Sequence, residues 1–252
     1  MTASGRPSRR ATRSHTTLAL VLRRTAYGEA DWVLSLFTER LGQIAALARS
    51  ARRSQRRFSG SLEPFHTLEL AVDETPGSDL AKLREARVVQ PRTELLAELS
   101  AMQAAGTFLG WVRHAAPAHT PEPEIWELSL ACLDELERGA ALRRTEVAPS
   151  ARAALAVHGL RLLVACGWRL ELEYCVETGV RCPDGKAARI DPARGGLVSS
   201  ARGTGGILVN GAQRRRLIGA QAGRDGVLET EDIDLAIELV ERSLQAHAGL
   251  AT

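Results

Sequence analysis

Apolar positions follow two different rhythms along this chain, and the change comes near residue 92. Residues 18–22 form a short apolar run closed by Arg23 and Arg24, and residues 32–38 form a second run rich in β-branched and aromatic types. Between Thr38 and Gln43 lies Glu39-Arg40-Leu41-Gly42, a tight connection in which Gly42 can take the positive φ that other residues resist. Residues 43–48 then return as a third strand. In residues 65–72, Leu68, Leu70 and Val72 alternate with Thr67, Glu69 and Ala71, the period of a half-buried strand, and residues 86–90 supply a fifth. Five short strands with no long helix among them predict a five-stranded Greek-key β-barrel of the oligonucleotide-binding (OB-fold) kind over residues 15–91. An SH3-like barrel or a small open sheet would give almost the same pattern.

From Thr93, read as an N-cap after Pro91, the period becomes helical, with Leu95, Leu96, Leu99, Met102, Phe108, Leu109 and Val112 on one face until Pro117, Pro121 and Pro123 break it. Ile125, Leu128, Ser129, Cys132, Leu133 and Leu136 mark a second helix, and Leu155, Gly159, Leu162, Leu163 and Cys166 a third. A last helix begins near Glu231, with Ile233, Ile237, Val240 and Leu244 on its face. The expected fold is therefore an α+β multidomain chain: a barrel, then an all-helical domain of four to six helices over residues 92–252, interrupted by a cysteine-containing loop at 173–206.

Charge adds direction to this picture. The 252 residues carry a formal net charge of +3, yet residues 1–60 hold twelve arginines against Glu29, Asp31 and Glu39, a net +9, which leaves −6 for the remainder. A basic first quarter on an acidic body confines any polyanion-binding surface to the N-terminal part. Its densest stretch runs from Arg49 to Phe58, where Arg49, Arg52, Arg53, Arg56 and Arg57 occur with no acid among them, in the connection after the third strand. Arginine presents a planar fork that fits phosphate oxygens and keeps its charge at neutral pH, so this clustering points to phosphate contacts. Arg23 and Arg24, at a strand end, are weaker candidates for the same role. Phe58, ending the run, reads equally as a loop anchor or a base platform; Trp32, Phe37 and Phe65 read as barrel fillers.

Residues 1–14 are basic and lack an apolar stretch, the composition of a disordered tail rather than a secretory signal, and no run of 18 apolar residues exists to span a membrane. Four cysteines in a chain of this length fit a reducing cytoplasm rather than a disulfide framework, and Cys132 and Cys166 fall on helical faces as core fillers. Cys175 and Cys182 precede Gly195-Gly196 in a loop that suggests a metal site, but structural zinc needs four N or S ligands and no histidine lies nearby, so no metal and no other cofactor is expected. The chain has no GxxxxGK[ST], GxGxxG after a strand, GxSxG or HExxH. The carboxylates of Glu135, Glu137, Glu229, Glu231 and Asp232 fall on helix faces or at a helix start, so a non-enzymatic protein is expected.

In order, Tyr27-Gly28-Glu29-Ala30-Asp31, Leu36-Phe37-Thr38-Glu39-Arg40-Leu41-Gly42, Ala48-Arg49-Ser50-Ala51-Arg52-Arg53 and Leu62-Glu63-Pro64-Phe65 resemble the N-terminal domain of the bacterial recombination mediator and DNA repair family RecO. Cys175-x6-Cys182 and Gly195-Gly196 look like that family's zinc-loop region. Members that keep the metal have a second C-x2-C after the double glycine, whereas Ser199 and Arg202 stand in those places here, which makes the loop a degenerate one. The resemblance implies a non-enzymatic, cytoplasmic and nucleoid-associated mediator of the RecF pathway. Such a protein binds single- and double-stranded DNA, anneals complementary strands, and works with RecR to replace single-strand-binding protein by RecA. The family's basic loop maps onto Arg49, Arg52, Arg53, Arg56 and Arg57. The competing expectation is an interaction adaptor whose basic loop binds an acidic protein partner.

Overall fold

The computed structural model describes residues 12–53, 58, 62–142, 150–198, 206–224 and 227–250. The chain divides into two compact units, Met1–Pro91 with Pro117–Pro121, and Arg92–Ala116 with Glu122–Thr252.

In the first unit, strands β1 (Arg13–Tyr27), β2 (Asp31–Thr38), β3 (Gly42–Ala48), β4 (Thr67–Glu74) and β5 (Leu80–Gln90) form a closed barrel in the order β1-β2-β3-β5-β4. Closure excludes the open-sheet alternative. It depends on β1, which pairs with β4 over Arg13–Ala19 and with β2 over Ala19–Tyr27, and whose ladder to β2 shifts register between Val21 and Arg23. Such a bulge bends a strand and increases its twist, which lets one strand serve both ends of the closed sheet. β3 and β5 run parallel, with Ala45 opposite Leu80.

The interior is filled by alternate residues, among them Val21, Leu34, Leu36, Ile44, Ala46, Leu68, Leu70, Val72 and Leu83, together with Phe58 and Leu62. Phe37 and Phe65 are buried as well but stand outside the interior cluster, Phe37 because it alternates with inward-facing Leu36 and so lies on the other face of β2, which corrects their reading as barrel fillers. Gly42 has φ +67°, and a Cβ there would lie 2.2 Å from the Thr120 carbonyl oxygen. It therefore serves both as the turn residue and as the seat of the 117–121 segment, where the His119 N–H donates to the Gln43 carbonyl.

β1 and β5 are both longer than the alternation suggested, β5 beginning at Leu80 rather than Ala86. β1 starts at Arg13, inside the stretch read as a tail, and residues 1–11 of that stretch lie outside the described residues. The outer part of β1, from Arg23 to Tyr27, has exposed side chains, so its pairing left no hydrophobic trace.

The second unit contains α1 (Thr93–Ala97), α2 (Leu99–Ala115), α3 (Pro123–Leu142), α4 (Ala151–Ala165), α5 (Gly211–Gln221) and α6 (Thr230–Ala248). The single helix expected from Thr93 breaks at Glu98, which is extended (φ −123°, ψ 116°) and whose carboxylate accepts from the Ser100 and Ala101 N–H groups. Thr93 does not cap α1; the N–H groups of Glu94 and Leu95 donate instead to Glu137 of α3. Leu99, placed on the apolar face by its spacing, is exposed because the break rotates it outward.

The helices are as expected in kind, but the interruption expected as a loop at 173–206 is built largely of strands, which start before it and end after it. A four-stranded sheet, β6 (Glu171–Cys175), β7 (Ala188–Asp191), β8 (Gly196–Val198) and β9 (Ile207–Val209), has the order β6-β8-β7-β9. Strands of three to five residues are too short for a period of two to stand out. Gly196, placed by the sequence in a loop, begins β8, where a Cβ would lie 2.3 Å from the Glu171 carbonyl oxygen. Among the described residues no helix is long and apolar enough to cross a membrane.

Candidate nucleic-acid interface

The arginine-rich connection starts directly after β3 and is tied down by backbone hydrogen bonds before its charges are presented. Ser50 adopts φ 57°, unusual for a residue with a Cβ, and its N–H donates to the Asp31 carboxylate at 2.7 Å. The Arg52 N–H donates to the Ala30 carbonyl at 2.9 Å, and the Arg53 N–H to the Ser50 carbonyl at 3.2 Å. Farther along, Phe58 is buried in the barrel interior. Phe58 is thus the loop anchor, and its burial removes it as a base platform.

These ties bring the start of the loop against the β1–β2 turn. Arg52 Nη1 donates to the Gly28 carbonyl at 3.3 Å, and Arg53 Nη2 lies 3.1 Å from Glu29 Oε2. Farther back on β1, Arg24 Nη1 is 2.8 Å from Glu63 Oε1. The Trp32 ring gathers two of these cations: the Arg24 guanidinium carbon is 4.8 Å from its centroid, and that of Arg52 is 5.6 Å away. Both are within cation–π range. Tyr27, at the end of β1, is 59% exposed. Arg23 and Arg49 are also exposed, and neither forms an ion pair with another described residue. Arg24, Arg52 and Arg53 are therefore brought together on the β1–β2 hairpin, while Arg56 and Arg57 lie outside the described residues.

Reading the sequence missed three participants. Trp32 counted as a barrel filler; it does pack partly against the interior, but its ring also carries the two guanidiniums. Glu29 and Glu63 went unnoticed because their ion pairs join residues 24 and 39 positions apart. Only the hairpin register, with Ala26 opposite Trp32 and Arg24 opposite Leu34, could have placed Arg24 diagonally beside the indole.

The cysteine loop has a different character. Cys175 and Cys182 lie in a short hairpin in which the Cys175 N–H donates to the Val180 carbonyl and the Cys182 N–H to the Glu173 carbonyl. Buried Arg214 of α5 holds this hairpin by donating to the carbonyl oxygens of Cys182 (3.3 Å) and Pro183 (2.6 Å). Ser199 and Arg202 lie outside the described residues, among which no group of three or more His, Cys, Asp or Glu is arranged to hold a metal ion. Cys132 is fully buried and its thiol is pushed well above its ordinary range by burial; half-buried Cys166, at the end of α4, is pushed up to about 12 by the same cause.

A family model described as the N-terminal domain of recombination protein O matches residues 13–92, the whole barrel. The DNA repair protein RecO of Geobacter metallireducens is 31% identical over 237 residues, which cover 92% of this chain and 91% of that protein. The chain belongs to the RecO family. It thus stands among DNA repair and recombination proteins, as the resemblance in its motifs implied. The RecO protein of Anaeromyxobacter sp. strain K is 37% identical over 179 residues, 71% of this chain and 66% of that relative's length. That of Rubrobacter xylanophilus is 32% identical over 179 residues, with 71% and 67% covered.

Proposed function

We propose that this RecO family member is a non-enzymatic recombination mediator that binds single- and double-stranded DNA through the basic end of its barrel. It anneals complementary strands, and with RecR it helps load RecA onto DNA coated by single-strand-binding protein, in functional connection with RecF. The observation that carries the reading is the convergence of Arg24 and Arg52 on the Trp32 ring of the β1–β2 hairpin, with Arg53 on Glu29 of its turn; Arg23 and Arg49 are exposed as well. Arg56 and Arg57 continue the same run.

The barrel supports the reading as well. Its strand order, with β1 shared between β2 and β4, suits an oligonucleotide-binding barrel, a fold that uses its β1–β2 loop among others to hold nucleic acid. Annealing requires two strands held close with their charge screened and their base edges free. A surface of arginines that reads phosphates and no bases supplies this without any catalytic group.

The test is the salt dependence of binding to a fluorescent oligothymidylate, followed by anisotropy. If all five arginines of the loop contact phosphates, log K should fall against log[salt] with a slope of about −3.5, at about 0.7 per contact on a single strand. A slope near zero, or one unchanged when Arg52, Arg53, Arg56 and Arg57 are replaced by Ala, would overturn the assignment.

A further inference from the structure

The geometry points to Trp32 as a positioning residue of this interface: its indole gathers the guanidiniums of Arg24 and Arg52 into one cation–π stack that offers two fixed charges to neighbouring phosphates. This rests on the reading of the surface as DNA-binding. The two arginines come from different places in the chain, Arg24 from β1 and Arg52 from the segment after β3, and the ring is the element both approach, at 4.8 and 5.6 Å. The indole is itself held, since it packs against the barrel interior from β2. Indole is also the strongest of the aromatic cation–π partners.

Unrestrained arginine side chains lose rotamer freedom when they grip a phosphate, and charges pre-set on a rigid ring lose less. Two guanidiniums on one ring also repel each other. In the free protein Glu63 offsets the charge of Arg24 at 2.8 Å, and the Arg52 fork is steadied by the Gly28 carbonyl. An incoming phosphate takes the place of the Glu63 carboxylate, so the stack exists before DNA arrives and changes partner when it does.

A double-mutant cycle on the full chain, read by anisotropy with labelled oligothymidylate, tests this. Trp32→Leu should weaken binding by about tenfold and Trp32→Tyr by no more than about threefold, the worth of one or two partly exposed cation–π contacts. In an Arg24→Gln/Arg52→Gln background, Trp32→Leu should change affinity by less than about twofold, because the ring then has no cation to hold. A loss of the same size in both backgrounds would mean that the ring touches nucleic acid itself or serves only the barrel. That result overturns the proposal and leaves the DNA-binding reading standing. Failure of the unaltered chain to bind would remove the reading itself. If Trp32→Leu does not fold, Trp32→Phe, which keeps an apolar ring with a weaker negative face, runs the same cycle. Its expected loss is about threefold with both arginines present and none without them, and equal losses overturn the proposal.

Discussion

At the barrel Arg23, Arg49, Arg52 and Arg53 stand exposed, whereas in the helical unit Arg92 and Arg214 are buried and turn their donors inward, Arg214 through both Nη groups but not Nε. Arg92 has no exposed surface, and its Nε and Nη2 donate to Asp134 Oδ1 at 3.0 and 2.7 Å. Arg214 spends its fork on two carbonyl oxygens of the cysteine hairpin. At the barrel, Arg52 gives one donor to a carbonyl and faces an aromatic ring, and Arg53 meets a glutamate that is itself exposed. The side chain is the same in both regions. What differs is how many of its five donors the fold has consumed, and the remainder is what a ligand can use.

The difference breaks most visibly in stability. Arg92→Ala should cost about 3 kcal/mol in urea unfolding, since it leaves a cavity and strips Asp134 of a charged partner. Replacing Arg49, Arg52 and Arg53 together by Ala should stay within about 0.5 kcal/mol. Similar losses from both sets would erase the distinction between clamping and presenting arginines.

A smaller effect concerns the acids of the helical unit. Glu135 is held below its ordinary value of 4.5 chiefly by its hydrogen bond from buried His158, at 2.8 Å. A carboxylate lowered in the folded state contributes stability that is fully present above 4.5 and is lost as the pH falls through its folded value. The stability gap between the natural chain and Glu135→Gln should therefore be widest near neutral pH and should close on acidification. A gap that stays constant from pH 7 to pH 3 would show that the ionised Glu135 carboxylate contributes nothing.

The smallest effect sharpens the barrel side. Glu29→Gln and Glu63→Gln should each raise affinity for oligothymidylate by about twofold at low salt, because each frees an arginine from an exposed ion pair worth less than about 1 kcal/mol. Weaker binding instead would mean that these carboxylates hold the arginines in place rather than compete for them.

How much could be read in advance depended on the distance over which each signal acts. The alternation in residues 65–72 and the hairpin through Gly42 are local, and both appear in the barrel close to where the pattern put them. Residues 80–85 were overlooked although Ala81 and Leu83 point inward between Lys82 and Arg84, because small and charged residues make that alternation faint. The break at Glu98 was hidden for another reason. A glutamate inside an apolar repeat looks like ordinary helix surface until its carboxylate is seen capping the next turn.

The sequence by itself determined that a β-rich segment precedes a helical one, that positive charge concentrates in the connection after the third strand, and that the chain resembles the RecO family. These are properties of neighbouring residues and of their order. Only the tertiary structure decided that the barrel closes through β1, that a small sheet interrupts the helices, and that Arg24, Trp32 and Arg52 meet. Each of those depends on which strands pair and in which register, and pairing energy is shared among residues far apart in the chain. The arginine run was therefore visible as charge, while its proposed use as a positioned surface rests on a tryptophan and two glutamates whose roles appear only once the hairpin and the loop are folded against each other.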